Sequence, residues 1–299
     1  MKRLSYLEMG EILLAYFLYV LGLKIILNFL FDSFSGININ IPFNVGNFQL
    51  YFIYTIIILF IYLLILKFIH KRKCSEIGFK SFSKKDLKFA LIFVTVLFPV
   101  ALIARIFDPS FDIWYANREG LLTMLAVVML WVQMPFIVLK EELIERSLIQ
   151  SRLTKAYGPL ITTLAVSINF GIAHFFLSIG GMLHTSMILI TVFLGSIIMT
   201  TAYEKTKSIF TTMIIHFAYN VIVILQVYLH ATEQIIYELI FWLVWAVLFF
   251  MFFKRSAAVF KELFVMPRLS EIALKEKIFI VIFAVIFPMF FFLLLNGII

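Results

Sequence analysis

The stretch LLTMLAVVMLWVQMPFIVLKEELIER, residues 121–146, decides how this chain is read. Leu121 to Leu139 carries no charge. As a helix it is long enough to cross most of a hydrocarbon layer of about 30 Å. It then runs into Glu141, Glu142, Glu145 and Arg146, four ionisable groups within six residues. Charge beside a bilayer core is costly unless it faces a cavity and finds partners. Glu142 and Arg146 are spaced i,i+4, so a helix puts them on one face as a pair. Glu141 is turned by about 100° from Glu142 and points elsewhere. One carboxylate is tied and its neighbour is available, which is the pattern of a site.

The rest of the chain places that site in a membrane. Hydrophobic residues make up 63% of the 299 residues and charged ones 14%. Soluble domains carry about 25% charged residues, so the composition is that of a multi-spanning membrane protein. Nine apolar segments can each span a bilayer as a helix: approximately 12–31, 49–69, 88–107, 121–141, 159–178, 186–203, 208–229, 235–253 and 278–296. The expected fold is an all-α, polytopic helix bundle. The first run is too long for the apolar core of a signal peptide and reads as a retained span.

The net charge of +8 sits on alternate loops. Lys71 to Lys88, Arg152 with Lys155, Lys205 with Lys207, and Lys254 to Lys277 follow the even-numbered spans. The other loops are almost free of cations, with Arg118 the exception. The positive-inside rule places the N-terminus in the cytoplasm and the C-terminus outside. The basic balance therefore belongs to a membrane topology, and no nucleic-acid partner is expected. The segment 256–277 reads as an amphipathic piece on the cytoplasmic surface. Lys67 and Arg105 can snorkel to an interface; Lys24 lies deeper. The single cysteine, Cys74, excludes a disulfide framework and reads as an inert thiol in a basic loop. The chain divides into N-terminal spans with a basic loop (1–117), a four-helix core (118–229) and C-terminal spans (230–299).

Three polar residues sit well inside apolar helices: His174, and the i,i+4 pair His216 and Asn220. Gly158-Pro159 is a helix stop and restart. Glu141 lies 17 residues before Gly158 and His174 lies 16 after it. In an antiparallel pair equal counts mean equal height, roughly 25 Å from the tip at about 1.5 Å per residue. His216 is about ten residues from the next turn, near Glu204 to Lys207. All four groups meet at one level, nearer the cytoplasmic side, if the helix from 121 to about 156 runs on past the membrane with Arg152 and Lys155 in water. A single membrane histidine or asparagine is more often an interhelical hydrogen-bond partner than a ligand. It is the coincidence of two histidines, an asparagine and an available glutamate at one height that points to function.

A glutamate near two imidazoles can activate water as a general base, or hold a divalent metal whose bound water is the nucleophile. An asparagine amide can donate to a developing oxyanion. Hydrolysis of an acyl bond is the natural reaction. All four aspartates (32, 86, 108 and 112) fall in loops, no Gly-x-Ser-Gly lies in a span, and no His-Glu-x-x-His occurs. The paired-aspartate, serine–histidine and common zinc-protease schemes therefore have no residues here.

Glu141-Glu142…Arg146, Phe170…His174 and His216…Asn220, in that order, resemble the signatures of the CPBP (Abi) membrane proteins. That family comprises type II CAAX prenyl endopeptidases and bacterial relatives linked to bacteriocin processing and self-immunity. The resemblance covers roughly 118–229, with fainter similarity at Ile77-Gly78-Phe79-Lys80 and Phe193-x-Gly195. It implies that Glu141 is the water-activating base and His174 its partner. It implies that His216 with Asn220 binds metal or stabilises the oxyanion, while Glu142 and Arg146 hold the site together. A divalent metal such as Zn2+ would draw on His174, His216 and Glu141. Ser147 departs from the family's glycine, though serine is also small.

The expectation is an intramembrane endopeptidase of a bacterial cytoplasmic membrane. Its partners are the lipid bilayer and a peptide or protein substrate, either a peptide precursor or a CAAX-like chain. The alternative is a non-catalytic membrane scaffold or bacteriocin self-immunity protein that uses the polar cluster for packing. A proton or solute transporter would also use buried Glu and His, but neither an inverted repeat nor a pair of broken helices is legible.

Overall fold

The computed structural model describes residues 5–6, 8–14, 45–64, 67, 75, 78–80, 82–107, 124–175, 182–231, 233–263 and 274–286. Among them every regular element is helical. Most of the first expected span and the end of the ninth lie outside the described residues, as do Lys24, Cys74 and Arg118.

The described helices are α1 (Val45–Leu64), α2 (Lys84–Val96), α3 (Phe98–Phe107), α4 (Met124–Glu142), α5 (Ser151–Phe175), α6 (Met182–Thr206), α7 (Ile209–Ala231), α8 (Ile235–Leu263) and α9 (Leu274–Val281). A π-helix, Leu143–Gln150, joins α4 to α5, and a second, Ile282–Ile286, continues α9. Four helical runs are long and apolar enough to cross a membrane: Lys84–Phe107, Trp131–His174, Ile209–His230 and Ile235–Glu262. The second is folded in two, because Gly158 adopts φ 77° and ψ 170°. The Arg146 guanidinium, 12 residues before that glycine, lies 5.7 Å from the ring of Phe170, 12 residues after it. The chain has reversed at Gly158-Pro159, where the sequence places the turn.

Local chemistry sets the other boundaries. Ser83 and Asp86 form a capping box at the start of α2, with Ser83 Oγ accepting from the Asp86 N–H at 3.1 Å. The helix therefore begins a turn before the apolar stretch at 88. Pro99 has no N–H to give, and the helix is interrupted at Leu97. α8 continues to Leu263, so residues 256–263 extend the eighth span instead of forming a separate surface piece. There Lys205 pairs with Glu262 at 2.5 Å.

Two apolar clusters hold the bundle. One joins Met9 and Ile12 to Ile58, Tyr62, Leu143, Ile149, Val166, Tyr203 and Phe283. The other joins Phe93, Leu97, Phe170, Met199, Ile215 and Trp245. α5, α6 and α7 supply both clusters, and these are also the helices that carry the polar residues of interest. The first cluster corrects one expectation. Arg152 is buried at 3% exposure, not in water, and its NH1 lies 2.7 Å from Glu11 Oε2. The helical N-terminal segment docks over the α4–α5 limb and supplies the partner. Lys155 is exposed, as expected. Arg105 also has partners within the protein. Its Nε lies 2.6 Å from Glu238 Oε1 and its NH2 lies 2.9 Å from His230 Nδ1.

Glycines fix two close approaches. A Cβ on Gly171 would sit 3.2 Å from the Leu189 carbonyl oxygen and 3.3 Å from Phe193 Cβ, so α5 and α6 pack backbone to backbone there. Gly78 has φ 84° and its carbonyl accepts from the Ile209 N–H at 3.2 Å, closing the first turn of α7. Lys80 Nζ donates to the Thr206 carbonyl at the end of α6. The 78–80 loop thus clamps the tight α6–α7 turn. A Cβ on Gly78 would lie 2.7 Å from Ile209 Cγ2. Gly78→Ala is expected to cost about 1–3 kcal/mol from strain and overpacking. Gly195→Ala, where a Cβ meets nothing within 4 Å, is expected to be neutral or mildly stabilising. Thermal unfolding of the two purified variants checks this, and equal midpoints would contradict the clamp.

Candidate active site

The last turn of α4 carries Lys140, Glu141 and Glu142, all buried, at 1%, 6% and 0% exposure. The backbone then widens into the eight-residue π-helix, every residue of which is buried. Such π segments occur frequently at functional sites, because the wider turn re-aims side chains that an α-helix would stack. Here the expected i,i+4 pair survives the change, with Arg146 Nε lying 3.2 Å from Glu142 Oε2. The two remaining guanidinium nitrogens reach across to α6. NH1 donates to Thr200 Oγ1 at 2.8 Å and NH2 to Ser196 Oγ at 3.3 Å. Arginine supplies donors in a planar fork, and all three nitrogens find acceptors.

Glu142 is tied from two further directions. His216 Nδ1 on α7 lies 2.9 Å from its Oε1, and the Thr212 hydroxyl also donates to it. A carboxylate can only accept, so the Nδ1 of His216 carries the hydrogen and Nε2 keeps the lone pair. That Nε2 lies 3.7 Å from Oε2 of Glu141. The separation is longer than a hydrogen bond, and a water at about 2.8 Å from each can bridge it. Lys140 Nζ is 3.9 Å from the other Glu141 oxygen.

His174 on α5 has its Nδ1 2.9 Å from the carbonyl of Phe170, one turn back. The carbonyl is an acceptor, so His174 also keeps its lone pair on Nε2. The Phe170 ring binds the assembly together, with its centroid 4.4 Å from the His174 ring, 6.1 Å from the His216 ring and 5.7 Å from the Arg146 guanidinium. Glu141, His216 and Lys140 all lie within electrostatic reach of His174. Asn220 follows His216 by one turn, as its spacing requires, but its Nδ2 is bonded to Met134 Sδ at 3.1 Å. A thioether is a weak acceptor, so this amide can exchange it for a better one.

The structure therefore brings together Glu141, Glu142, Arg146, His174 and His216, with Asn220 at the rim. It differs from the expected roles in one respect: the imidazole paired with Glu141 across the short gap is that of His216. Among the described residues no group of three or more His, Cys, Asp or Glu is arranged to hold a metal ion. Glu141, His174 and His216 have the donor chemistry of a zinc site, but as placed they do not form such a three-ligand cluster.

Sequence reasoning missed the contribution of α6. Ser196, Thr200 and Glu204 recur every four residues in an apolar span, a polar stripe that is legible in retrospect. Gln150 Nε2 donates to the Thr200 carbonyl at 2.9 Å and to Glu204 Oε1 at 2.8 Å. Thr154 Oγ1 adds a bond to Glu204 at 2.5 Å, and Lys207 pairs with the other oxygen. A buried ladder thus leads from Arg146 to the half-exposed Lys207. Lys140, adjacent to Glu141, was also missed.

Residues 122–222, 101 of the 299, match the protein-family model of type II CAAX prenyl endopeptidases, Rce1-like. Every residue named in the site falls inside that match. No curated protein and no solved structure matches the chain.

Proposed function

Because this central segment belongs to the Rce1-like type II CAAX prenyl endopeptidase family, we propose that the chain is an intramembrane endopeptidase acting on a membrane-associated peptide or protein. The observation that carries the mechanism is the orientation of His216. Glu142 holds its Nδ1 at 2.9 Å while Nε2 stands 3.7 Å from Glu141. A water in that gap donates one proton toward His216 Nε2 and the other to Glu141. Glu141 removes its proton as the oxygen attacks the scissile carbonyl carbon. The carbonyl π electrons move to oxygen, and the Asn220 amide, released from Met134, donates to the oxyanion. When the tetrahedral intermediate collapses, the C–N bond breaks and Glu141 returns its proton to the leaving amine. His174 lines the same pocket and holds the carbonyl side of the substrate.

The ion pairs and close contacts support the nine-span topology with a cytoplasmic N-terminus. Segments assigned to the cytoplasm touch one another: Glu11 meets Arg152, Tyr6 meets Lys275, Gly78 meets Ile209 and Lys205 meets Glu262. The opposite end is closed by Arg105, His230 and Glu238. The site then opens toward the cytoplasmic half of a bacterial membrane, and a peptide precursor is the favoured substrate.

The test is cleavage of membrane-anchored reporter peptides by purified protein in liposomes, read by mass spectrometry, with and without a chelator. Cleavage that persists after chelation is expected for water activated by Glu141 and His216. Loss on chelation with recovery on adding Zn2+ would instead assign a metal to Glu141, His174 and His216. No cleavage of any anchored peptide, with a partner bound all the same, would replace the enzyme by a scaffold or immunity protein.

A further inference from the structure

α2, α7 and α8 enclose a lateral groove of about 770 Å3 that is separate from the catalytic cluster. Ile222, which lines it, lies about 200° around α7 from Asn220, and so on the opposite face. The groove has a sided chemistry. Lys84 and Lys88, spaced i,i+4 on the first turns of α2, stand at one end, both exposed and lining the cavity. The wall deeper in the bundle is apolar, with Leu91, Ile222 and Leu248 along it and the Trp245 indole further in. No aspartate or glutamate lines it. The nearest carboxylate on the same turn, Asp86, is held by the Ser83 cap at 2.7 Å.

We propose that this groove binds one anionic diacyl phospholipid. Its phosphate sits at Lys84 and Lys88, and an acyl chain runs along Leu91 and Leu248 toward Trp245. The volume lies within the roughly 300–1,000 Å3 typical of ligand sites. The cationic end belongs to the basic face of the protein, since the 78–80 loop leading into α2 clamps the α6–α7 turn through Ile209. Juxtamembrane lysines attract anionic headgroups, while a neutral headgroup gains nothing from them. A second copy of the chain is a poorer occupant. A two-fold interface over this face would bring the two lysine pairs together with no lining carboxylate to meet them.

The experiment is native mass spectrometry of the full-length protein, released from detergent with phosphatidylglycerol or phosphatidylcholine of identical chains. Retention of one phosphatidylglycerol per chain is expected, preferred by on the order of tenfold over phosphatidylcholine. Lys84→Gln with Lys88→Gln should abolish the preference, whereas Lys155→Gln with Lys277→Gln, at exposed sites elsewhere, should leave it intact. Leu91→Trp, which fills the groove without changing charge, should lower retention of both lipids. Equal retention of the two lipids by the wild-type protein would overturn the proposal, as would equal loss of preference in the control pair. A dimer cross-linked through cysteines placed at Leu91 and Leu248 would assign the groove to a second copy instead. The lipid readout does not depend on peptide cleavage, so its failure leaves the protease reading standing.

Discussion

Glu141→Gln is expected to lower the rate of peptide cleavage by about 10²–10⁴-fold, the range that a positioned general base supplies, while leaving the protein folded. The substitution keeps the size and shape of the side chain and removes its ability to take a proton. Its separations from His216 and Lys140, 3.7 and 3.9 Å, are longer than hydrogen bonds, so neither contact holds the helices together. Loss of the charge should therefore shift stability by no more than about 1 kcal/mol. The neighbouring Glu142→Gln has a different signature. An amide can still accept from His216 Nδ1, but a buried Arg146 loses its counter-charge, so stability and rate should fall together. Single-turnover cleavage in liposomes, paired with thermal unfolding of the same samples, separates the two cases. Cleavage by Glu141→Gln within threefold of wild type would remove Glu141 from the reaction and leave the His216 geometry without a catalytic purpose.

Much of this arrangement was legible because membrane helices obey simple counts. Gly158-Pro159 gave the reversal, and equal distances from it gave the level at which Arg146 and Phe170 now meet. The pairing of Glu142 with Arg146 followed from spacing alone. The bond from His216 to Glu142 joins residues 74 apart in sequence, and helical periodicity carries no information about which carboxylate an imidazole on another helix will choose. The π-helix at Leu143–Gln150 was hidden for a related reason. A mixed run of charges and apolar residues that is buried on every side has no amphipathic stripe from which to read its turn. The hydroxyls of Ser196 and Thr200 were passed over because such groups usually bond their own helix in membranes, as Thr200 also does to the Ser196 carbonyl at 2.6 Å. Arg152 was placed in water by extrapolating one helix, whereas its environment is set by a segment 141 residues away that carries Glu11.

The second large effect is on folding. Arg146→Met should destabilise the protein by about 3–5 kcal/mol, because it removes one partner of a fully buried ion pair and leaves Glu142 charged among apolar side chains. Methionine fills much of the arginine volume and can still lie against Phe170, so a cavity contributes little of the loss. Thr200→Val, which removes one acceptor from the guanidinium, should cost less, about 1.5–3 kcal/mol. The informative variant is the double substitution Glu142→Leu with Arg146→Met. Exchanging a buried pair for apolar residues of similar volume is often neutral or stabilising, so the unfolding midpoint should return most of the way to wild type. Cleavage should not return with it. Without Glu142 the Nδ1 of His216 has no carboxylate to fix its tautomer, and Nε2 is no longer committed to the water facing Glu141. A double variant as unstable as Arg146→Met alone would show that the guanidinium acts mainly through Ser196 and Thr200 on α6. A double variant that recovered both stability and cleavage would show that the Glu142–His216 bond orients nothing the reaction needs.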